Sequence, residues 1–346
     1  MGMKGVASSS PENRLRDRFL AAVVTCAAAL LSFFLIVALS GCSAENENTV
    51  VIYSCGEGEL NEYILGEMHK DLPEYDIRLH YVSTGNCAAR LQTEGTESEA
   101  DIVFGLEGGY MRQVQSAFAP LDYDMSVFEP DLLDGSDTYL PFRRESACIA
   151  VNAEELRARG LDVPASYDDL LKPEYRGLIC MPNPKSSGTG YNFLKSVINE
   201  RGEEAAFAYF DALAENVYQF TSSGSGPVNA LVQGEALIGL GLTYQAVSEI
   251  NKGVPIEIVY FDEGLPWTMN GVAVVDGKQD KPGVRAVMDW MYEKGIMLDK
   301  QKFAPDAVFV GQSTKVENYP ENPVYADMAG LFDVGEKQRL LKMWKY

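Results

Sequence analysis

Thr49-Val50-Val51-Ile52-Tyr53 is followed at once by the small and polar stretch Ser54-Cys55-Gly56-Glu57-Gly58. The first stretch is β-branched and apolar, which favours a short buried strand. Beyond the second stretch, apolar side chains repeat at helical spacing, namely at Leu60, Tyr63, Ile64 and Met68. A strand, a turn and a helix in this order predict a parallel α/β sheet.

The same order recurs along the chain. Predicted strands at residues 77–82, 101–104, 177–181, 217–220 and 236–240 each run into a turn of small residues. Ligands of open α/β sheets bind beyond the carboxyl ends of the strands. These turns therefore predict a ligand site along one edge of the sheet.

Long apolar strands near residues 144–152 and 256–275 join two such series. They predict an α/β fold with two lobes and a double crossover between them. We expect lobe one to comprise residues 49–145 and 268–346, and lobe two to comprise residues 146–267.

The composition narrows the classes of function. The chain has 346 residues, is 46% hydrophobic and carries a net charge of −21, so it is long enough for a sizeable core or two lobes. Nucleic acid needs basic patches, and the excess acid argues against it as a partner. A small anion remains compatible, because backbone N–H groups bind one without net positive charge.

The N-terminal sequence has the pattern of a bacterial lipoprotein leader. A positive flank and the apolar residues 19–39 end at Leu39-Ser40-Gly41-Cys42. We expect residues 1–41 to be a signal peptide, Cys42 to carry lipid and residues 42–48 to be a tether. The alternative is an uncleaved membrane anchor. Both interpretations place the remaining chain on the extracytoplasmic face of the cell membrane.

Four further cysteines follow, namely Cys55, Cys87, Cys148 and Cys180. Their spacing is unlike that of a zinc site. Cys55 and Cys87 follow the ends of strands that should be neighbours, and an oxidising compartment permits a bridge between them. The alternative is that all four are small buried hydrophobic residues.

Three turns carry many hydrogen-bond donors. In Ser186-Ser187-Gly188-Thr189-Gly190, glycines let N–H groups converge, hydroxyls add donors and the helix start adds partial positive charge. Ser222-Ser223-Gly224-Ser225-Gly226 and Ser83-Thr84-Gly85 repeat this chemistry. Together they favour an oxyanion such as phosphate, phosphonate or carboxylate. The alternative is that they only cap helices.

Several side chains beside these turns are further candidates for ligand contact. Tyr191, Tyr244 and Trp267 offer an aromatic face or a polar group, and Glu57 offers an acceptor for a ligand amine. The alternatives are ordinary packing for the aromatic residues and a solvated surface position for Glu57.

The ordered set of motifs resembles the extracellular solute-binding proteins of ABC importers. The motifs that carry the resemblance are the leader, residues 50–59, Ser83-Thr84-Gly85 with Arg90, residues 100–105, 187–191, 239–244 and 264–267. Within this family, the chain is most similar to the branch that contains binders of ferric ion, thiamine, 2-aminoethylphosphonate and sugar phosphates. The resemblance implies a periplasmic-binding-protein-like fold whose lobes close a cleft on a ligand, followed by docking on permease subunits.

The resemblance also implies a set of ligand contacts. Family patterns place them at Ser54, Thr84, Gly85, Ser187, Gly188, Thr189, Tyr191, Ser223 and Tyr244. Iron binders of the branch have two adjacent tyrosines where this chain has Tyr244-Gln245, and Fe³⁺ prefers anionic oxygen ligands. The turn Ser187-Gly188-Thr189-Gly190 instead resembles the phosphonate and phosphate-ester members. The preferred ligand is therefore a small anionic solute, a phosphonate or phosphate ester, with thiamine or its phosphates next and ferric ion third.

Other classes of function fit the sequence less well. An enzyme would need a nucleophile with a base or a metal cluster, and neither pattern is visible. A sensory ectodomain that touches a membrane receptor is the alternative that shares the fold. We expect a monomer that is not an enzyme, with no cofactor and no protein-bound metal.

Overall fold

Nine strands form one mixed sheet in residues 48–346, which are the residues that the computed structural model describes. The strands are β1 Thr49–Ser54, β2 Asp76–Tyr81, β3 Ile102–Glu107, β4 Leu140–Val151, β5 Ile179–Pro182, β6 Val217–Thr221, β7 Ile238–Leu242, β8 Glu257–Val259 and β9 Trp267–Val274. Their order is β2-β1-β3-β9-β4-β7-β5-β6, and β8 also pairs with β4. The predicted α/β class is confirmed.

Eleven α-helices pack around this sheet within the described part of the chain. They are α1 Gly58–Asp71, α2 Thr84–Glu94, α3 Gly108–Gln113, α4 Ala153–Ala158, α5 Gly188–Arg201, α6 Glu203–Leu213, α7 Gly226–Val232, α8 Thr243–Asn251, α9 Pro282–Trp290, α10 Ile296–Lys302 and α11 Val334–Met343. A π-helical turn, Met291–Gly295, connects α9 to α10.

Parallel and antiparallel pairs divide the sheet. β1 lies between β2 and β3 and is parallel to both, while β5 is parallel to β6 and β7. The central strands β4 and β9 run antiparallel to each other. Every residue of β4 is buried, so other parts of the protein cover both faces of this strand.

Two large hydrophobic clusters flank the middle of the sheet. The first draws mainly on residues 50–142 and 269–319, and the second on residues 147–261 and 326–344. By backbone contacts, residues 48–346 form one compact unit. The lobe bounds given above stay a prediction, and Leu340 and Trp344 near the end of the chain pack with the second cluster.

None of the helices in residues 48–346 combines the length and apolar character that crossing a membrane requires. The predicted signal peptide, the predicted lipid site Cys42 and most of the predicted tether lie outside the described residues.

The four described cysteines are buried free thiols. Cys55 and Cys87 lie close enough for their thiols to share a hydrogen bond, and burial raises the pKa of Cys55 well above its ordinary value. Their bridge stays a prediction. Burial raises the pKa of Cys148 to about 12 and that of Cys180 to about 11.

Candidate functional site

A cleft with about 450 Å³ of space free of atoms, part of it open to solvent, lies at the carboxyl ends of the parallel strands. It reaches the ends of β1, β2, β3 and β7 and the starts of α2 and α5. Seven of the predicted ligand-binding residues line it, namely Glu57, Thr84, Ser187, Gly188, Thr189, Ser223 and Tyr244. The structure thus brings together side chains that are far apart in the sequence.

Three predicted contact residues, Ser54, Tyr191 and Trp267, are not part of the lining of this cleft. The Ser54 hydroxyl donates to Asn61 Oδ1 over 2.6 Å and accepts from the Gly56 N–H. Tyr191 is fully buried, its hydroxyl has no hydrogen-bond partner among residues 48–346, and the centre of its ring lies 4.3 Å from the Lys337 ammonium. The guanidinium of Arg144 lies 4.3 Å from the ring of Trp267.

Two predicted glycines have backbone roles. The Gly85 N–H donates to the Ser186 carbonyl over 3.2 Å. A Cβ atom at Gly190 would lie 2.5 Å from the Pro182 carbonyl oxygen. Only glycine therefore lets α5 begin so close to the end of β5.

The start of α5 shows how its hydroxyls differ. The Ser187 side chain accepts from the Gly190 N–H over 3.5 Å and caps the helix. Across the cleft, Thr84 Oγ1 accepts from the Gly188 N–H over 2.8 Å. Thr189 lines the cleft, and no hydrogen bond of its hydroxyl is recorded within residues 48–346. Thr189 is therefore the hydroxyl of this turn that remains for a ligand.

Glu57 faces the second donor-rich turn. It is the N-cap residue of α1, yet its side chain accepts no capping hydrogen bond from that helix. Burial raises the pKa of Glu57, while hydrogen bonds from Ser225, Gly224 and Tyr81 act in the opposite direction. A carboxylate of this chain thus lies where the turn was expected to receive an anion.

Charged side chains form a buried cluster under the cleft. Arg143 donates from Nε to Asp299 Oδ2 over 3.0 Å and from Nη1 to Glu145 Oε2 over 3.1 Å. Asn270 also donates to Glu145 Oε2, over 3.2 Å. Burial raises the pKa of Glu145 to about 7, although the charge of Arg143 opposes this. Glu145 therefore brings a titratable acceptor to the floor of the cleft.

A second buried ion pair joins Glu107 and Lys337. Glu107 caps α3 by accepting from the N–H groups of Gly109 and Tyr110 over 3.0 and 3.2 Å. It also accepts from the Thr268 hydroxyl over 3.2 Å. Burial lowers the pKa of Lys337. This pair therefore connects α11 to the wall of the cleft.

Sequence reasoning missed several residues of the lining, including Tyr81, Glu107, Glu145, Asn192, Thr268 and Asn270. Asn192 is 1% exposed, and its Oδ1 atom has no hydrogen-bond partner among the described residues. It follows Thr189 by three residues, so both lie on one helix face. That spacing was the available signal for Asn192, whereas the other five need the tertiary structure.

Known proteins provide an independent comparison. The family model described as bacterial extracellular solute-binding protein matches residues 106–322. An uncharacterised protein of Haemophilus influenzae is 28% identical over 276 residues, covering 75% of this chain and 76% of that protein.

Solved structures agree on the fold. The periplasmic binding protein P5PA has a TM-score of 0.75 and 22% identity, covering 86% of this chain and 98% of that one. The periplasmic binding protein AfuA of Actinobacillus pleuropneumoniae, with exogenous fructose-6-phosphate bound, has a TM-score of 0.75 and 21% identity, with coverage of 86% and 97%. These likenesses confirm the predicted periplasmic-binding-protein-like fold.

Proposed function

The chain belongs to the bacterial extracellular solute-binding proteins, and from this membership we propose that it is the substrate-binding subunit of an ABC importer for a phosphate ester or phosphonate. Solute-binding proteins capture a molecule without changing it, and the expectation that the chain is not an enzyme is confirmed. Its function would be to capture the solute and deliver it to the permease subunits.

The start of α5 is the observation that carries the ligand class. Thr189 lines the cleft with a hydroxyl that has no hydrogen-bond partner in the described part of the chain, and a helix start adds partial positive charge. The turn of Thr84 and Gly85 faces it across the cleft. An oxyanion at this place would receive donors from both sides.

The bonds across the cleft indicate how binding proceeds. Thr84 and Gly85 reach Ser186 and Gly188 directly, so the two turns touch in this structure. A phosphate would need them to separate and would then replace their mutual contacts by its own. The fold of AfuA, which holds fructose-6-phosphate, accommodates a ligand of this class.

Thiamine or a thiamine phosphate is the second candidate. Its cationic ring would find the carboxylate of Glu57 and the aromatic side chains of Tyr81 and Tyr244 in one cleft. For ferric ion, residues 48–346 contain no group of three or more His, Cys, Asp or Glu side chains arranged to hold a metal.

Location and partners are part of the same proposal. A lipid on Cys42 would hold the protein on the extracytoplasmic face of the membrane, close to the permease. We expect the protein to act as a monomer. A receptor-coupled sensor with the same fold is the alternative role.

A thermal-shift screen tests the ligand class. Phosphate esters, phosphonates, thiamine, thiamine phosphates and ferric citrate are compared with their counterparts that lack phosphate or iron. A true ligand at a hundredfold excess over Kd stabilises the protein by about 2.7 kcal/mol. A shift with ferric salts alone would exclude the phosphate class.

A further inference from the structure

We propose that Asn192 is a specificity-determining residue of the cleft, and that its side-chain amide binds a hydroxyl group on the organic part of the solute. The inference rests on the proposed function, since it describes the part of the same ligand that lies beyond the phosphate. It gives a role to a side chain that serves no bond of the fold through its oxygen.

Asn192 is a buried polar side chain without a partner. It is 1% exposed, and its Oδ1 atom accepts no hydrogen bond within residues 48–346. Among the buried side-chain atoms without a partner in that part of the chain, it is the one whose residue lines the cleft. Buried polar groups nearly always have hydrogen-bond partners, because leaving one unpaired costs free energy. A molecule in the cleft can supply the bond that Asn192 lacks.

Other polar side chains of the same lining are directed elsewhere. Asn270 donates to Glu145 Oε2 over 3.2 Å, and the Thr268 hydroxyl donates to Glu107 Oε1 over 3.2 Å. These two donors therefore serve carboxylates of the chain and not the oxygen of Asn192. The donor that pairs with Asn192 has to come from the ligand.

The position of Asn192 on α5 fits a group close to the phosphate. It follows Thr189 by three residues, so the two side chains lie on one face of the helix, with about 5–6 Å between their Cβ atoms. A phosphate bound at Thr189 would thus place the first carbon atoms of its ester beside Asn192. The ligand group that meets Asn192 therefore belongs to the start of the organic part.

The chemistry of an amide points to a hydroxyl group as its partner. A side-chain amide has an acceptor oxygen and a donor nitrogen, and a hydroxyl group also donates and accepts. A hydroxyl group can therefore pair with Asn192 in either orientation of the amide. An ammonium group only donates, and an alkyl group would leave the amide unpaired.

Calorimetric titration of the full chain with matched probes tests this inference. Glycerol 3-phosphate carries hydroxyl groups beside its phosphate, propyl phosphate has the same carbon chain without them, and glycerol lacks the phosphate. Glycerol 3-phosphate should bind about ten- to hundredfold more tightly than propyl phosphate. Asn192→Leu removes the amide and keeps a branched side chain, so this ratio should fall to about one. Asn192→Ala should lower the ratio in the same way.

The stability of the ligand-free protein separates a ligand contact from a structural one. Because Asn192 Oδ1 has no partner in residues 48–346, the melting temperature of Asn192→Leu should not fall. Asn199 on the same helix is the matched control, since its amide donates to the carbonyls of Asp327 and Ala329 over 2.9 and 3.1 Å. Asn199→Leu should lower the melting temperature and leave the affinity ratio unchanged.

The outcomes separate this inference from the proposed function. Equal affinity for the two phosphates, a ratio that survives Asn192→Leu, or a melting temperature that falls as far in Asn192→Leu as in Asn199→Leu would overturn the role of Asn192 and leave the phosphate class standing. Glycerol binding as tightly as glycerol 3-phosphate would overturn the phosphate class alone. Failure of all three probes to bind at millimolar concentration would overturn both.

Discussion

Two neighbouring hydroxyls at the start of α5 have different surroundings. Ser187 is 3% exposed and bonds to the Gly190 N–H of its own helix. Thr189 is 7% exposed and lines the cleft. Both were predicted to hold the anion, and the structure places Ser187 in a capping role that leaves less of its hydroxyl for a ligand.

Substitution of Thr189 should therefore change mainly the ligand affinity, and substitution of Ser187 mainly the free energy of unfolding. Thr189→Val keeps the shape and removes a donor, so affinity for the bound phosphate should fall about ten- to hundredfold while the free energy of unfolding changes little. Ser187→Ala removes a cap and should cost about 1 kcal/mol of stability. Calorimetry and urea unfolding of both variants measure this, and unchanged affinity in Thr189→Val with a large loss of stability would contradict it.

Glu145 should make stability depend on pH. Its folded pKa of about 7 exceeds the ordinary 4.5 because the group is buried, so the folded state binds more protons between these values. Stability from this group is therefore lost as pH rises from about 4.5 to about 7.

The expected result is a pH-dependent difference from Glu145→Gln. Relative to this variant, the wild type should lose up to about 3 kcal/mol of unfolding free energy across that window. Urea titrations at several pH values measure the difference. Glu62→Gln, at an exposed position, is the control and should show no such slope. A flat difference for Glu145→Gln would mean that the cluster with Arg143, Asp299 and Lys300 keeps Glu145 ionised.

At the scale of elements, α11 depends on one buried cation. Lys337 is fully buried between the rings of Tyr110 and Tyr191 and pairs with Glu107. Lys337→Met leaves the Glu107 carboxylate without its partner, which should cost about 3–5 kcal/mol. Urea unfolding measures the loss.

Two further variants test whether the loss of stability comes from the buried ion pair. Lys342→Met removes an exposed charge from the same helix and should change the free energy of unfolding little. Adding Glu107→Gln to Lys337→Met should recover part of the loss, because the stranded charge disappears. Equal effects of Lys337→Met and Lys342→Met would refute the role of the buried pair.

Local patterns were sufficient for elements whose apolar spacing is regular. The strand expected at residues 49–53 is β1 Thr49–Ser54, and the helix expected after Gly188 is α5. β4 was expected near residues 144–152 but begins at Leu140. Its first half contains Arg143, which looks exposed in a sequence because its partner Asp299 is 156 residues away.

The same division holds for the site: residues in local turns were predictable from the sequence, and residues brought in by strand pairing were not. Turns after strands pointed to Thr84 and Thr189, because glycine and hydroxyl residues at a helix start are a local signal. Glu145 and Asn270 come from the middle of the sheet, and only strand pairing places them together at the floor of the cleft. The direction of the Glu57 side chain likewise depends on a turn far along the chain.

At the scale of the whole molecule, attachment to the membrane remains a prediction about residues outside the described part. Cys42→Ala should leave the precursor unprocessed and without lipid, because the cysteine sulfur is the predicted site of lipid attachment. Metabolic labelling with a fatty-acid analogue measures this, and Cys55→Ala is the matched control that should keep the label. Unchanged labelling in Cys42→Ala would remove the lipoprotein interpretation.

The buried strand β4 has a thermodynamic consequence for the molecule. Its residues Leu140 and Phe142 belong to the first hydrophobic cluster, and Ala147, Ile149 and Val151 belong to the second. Because β4 belongs to both clusters, neither cluster can unfold while the other holds the strand in place. Scanning calorimetry should therefore show a single cooperative peak of heat absorption. The amides of β4 should then exchange their hydrogens only through global opening.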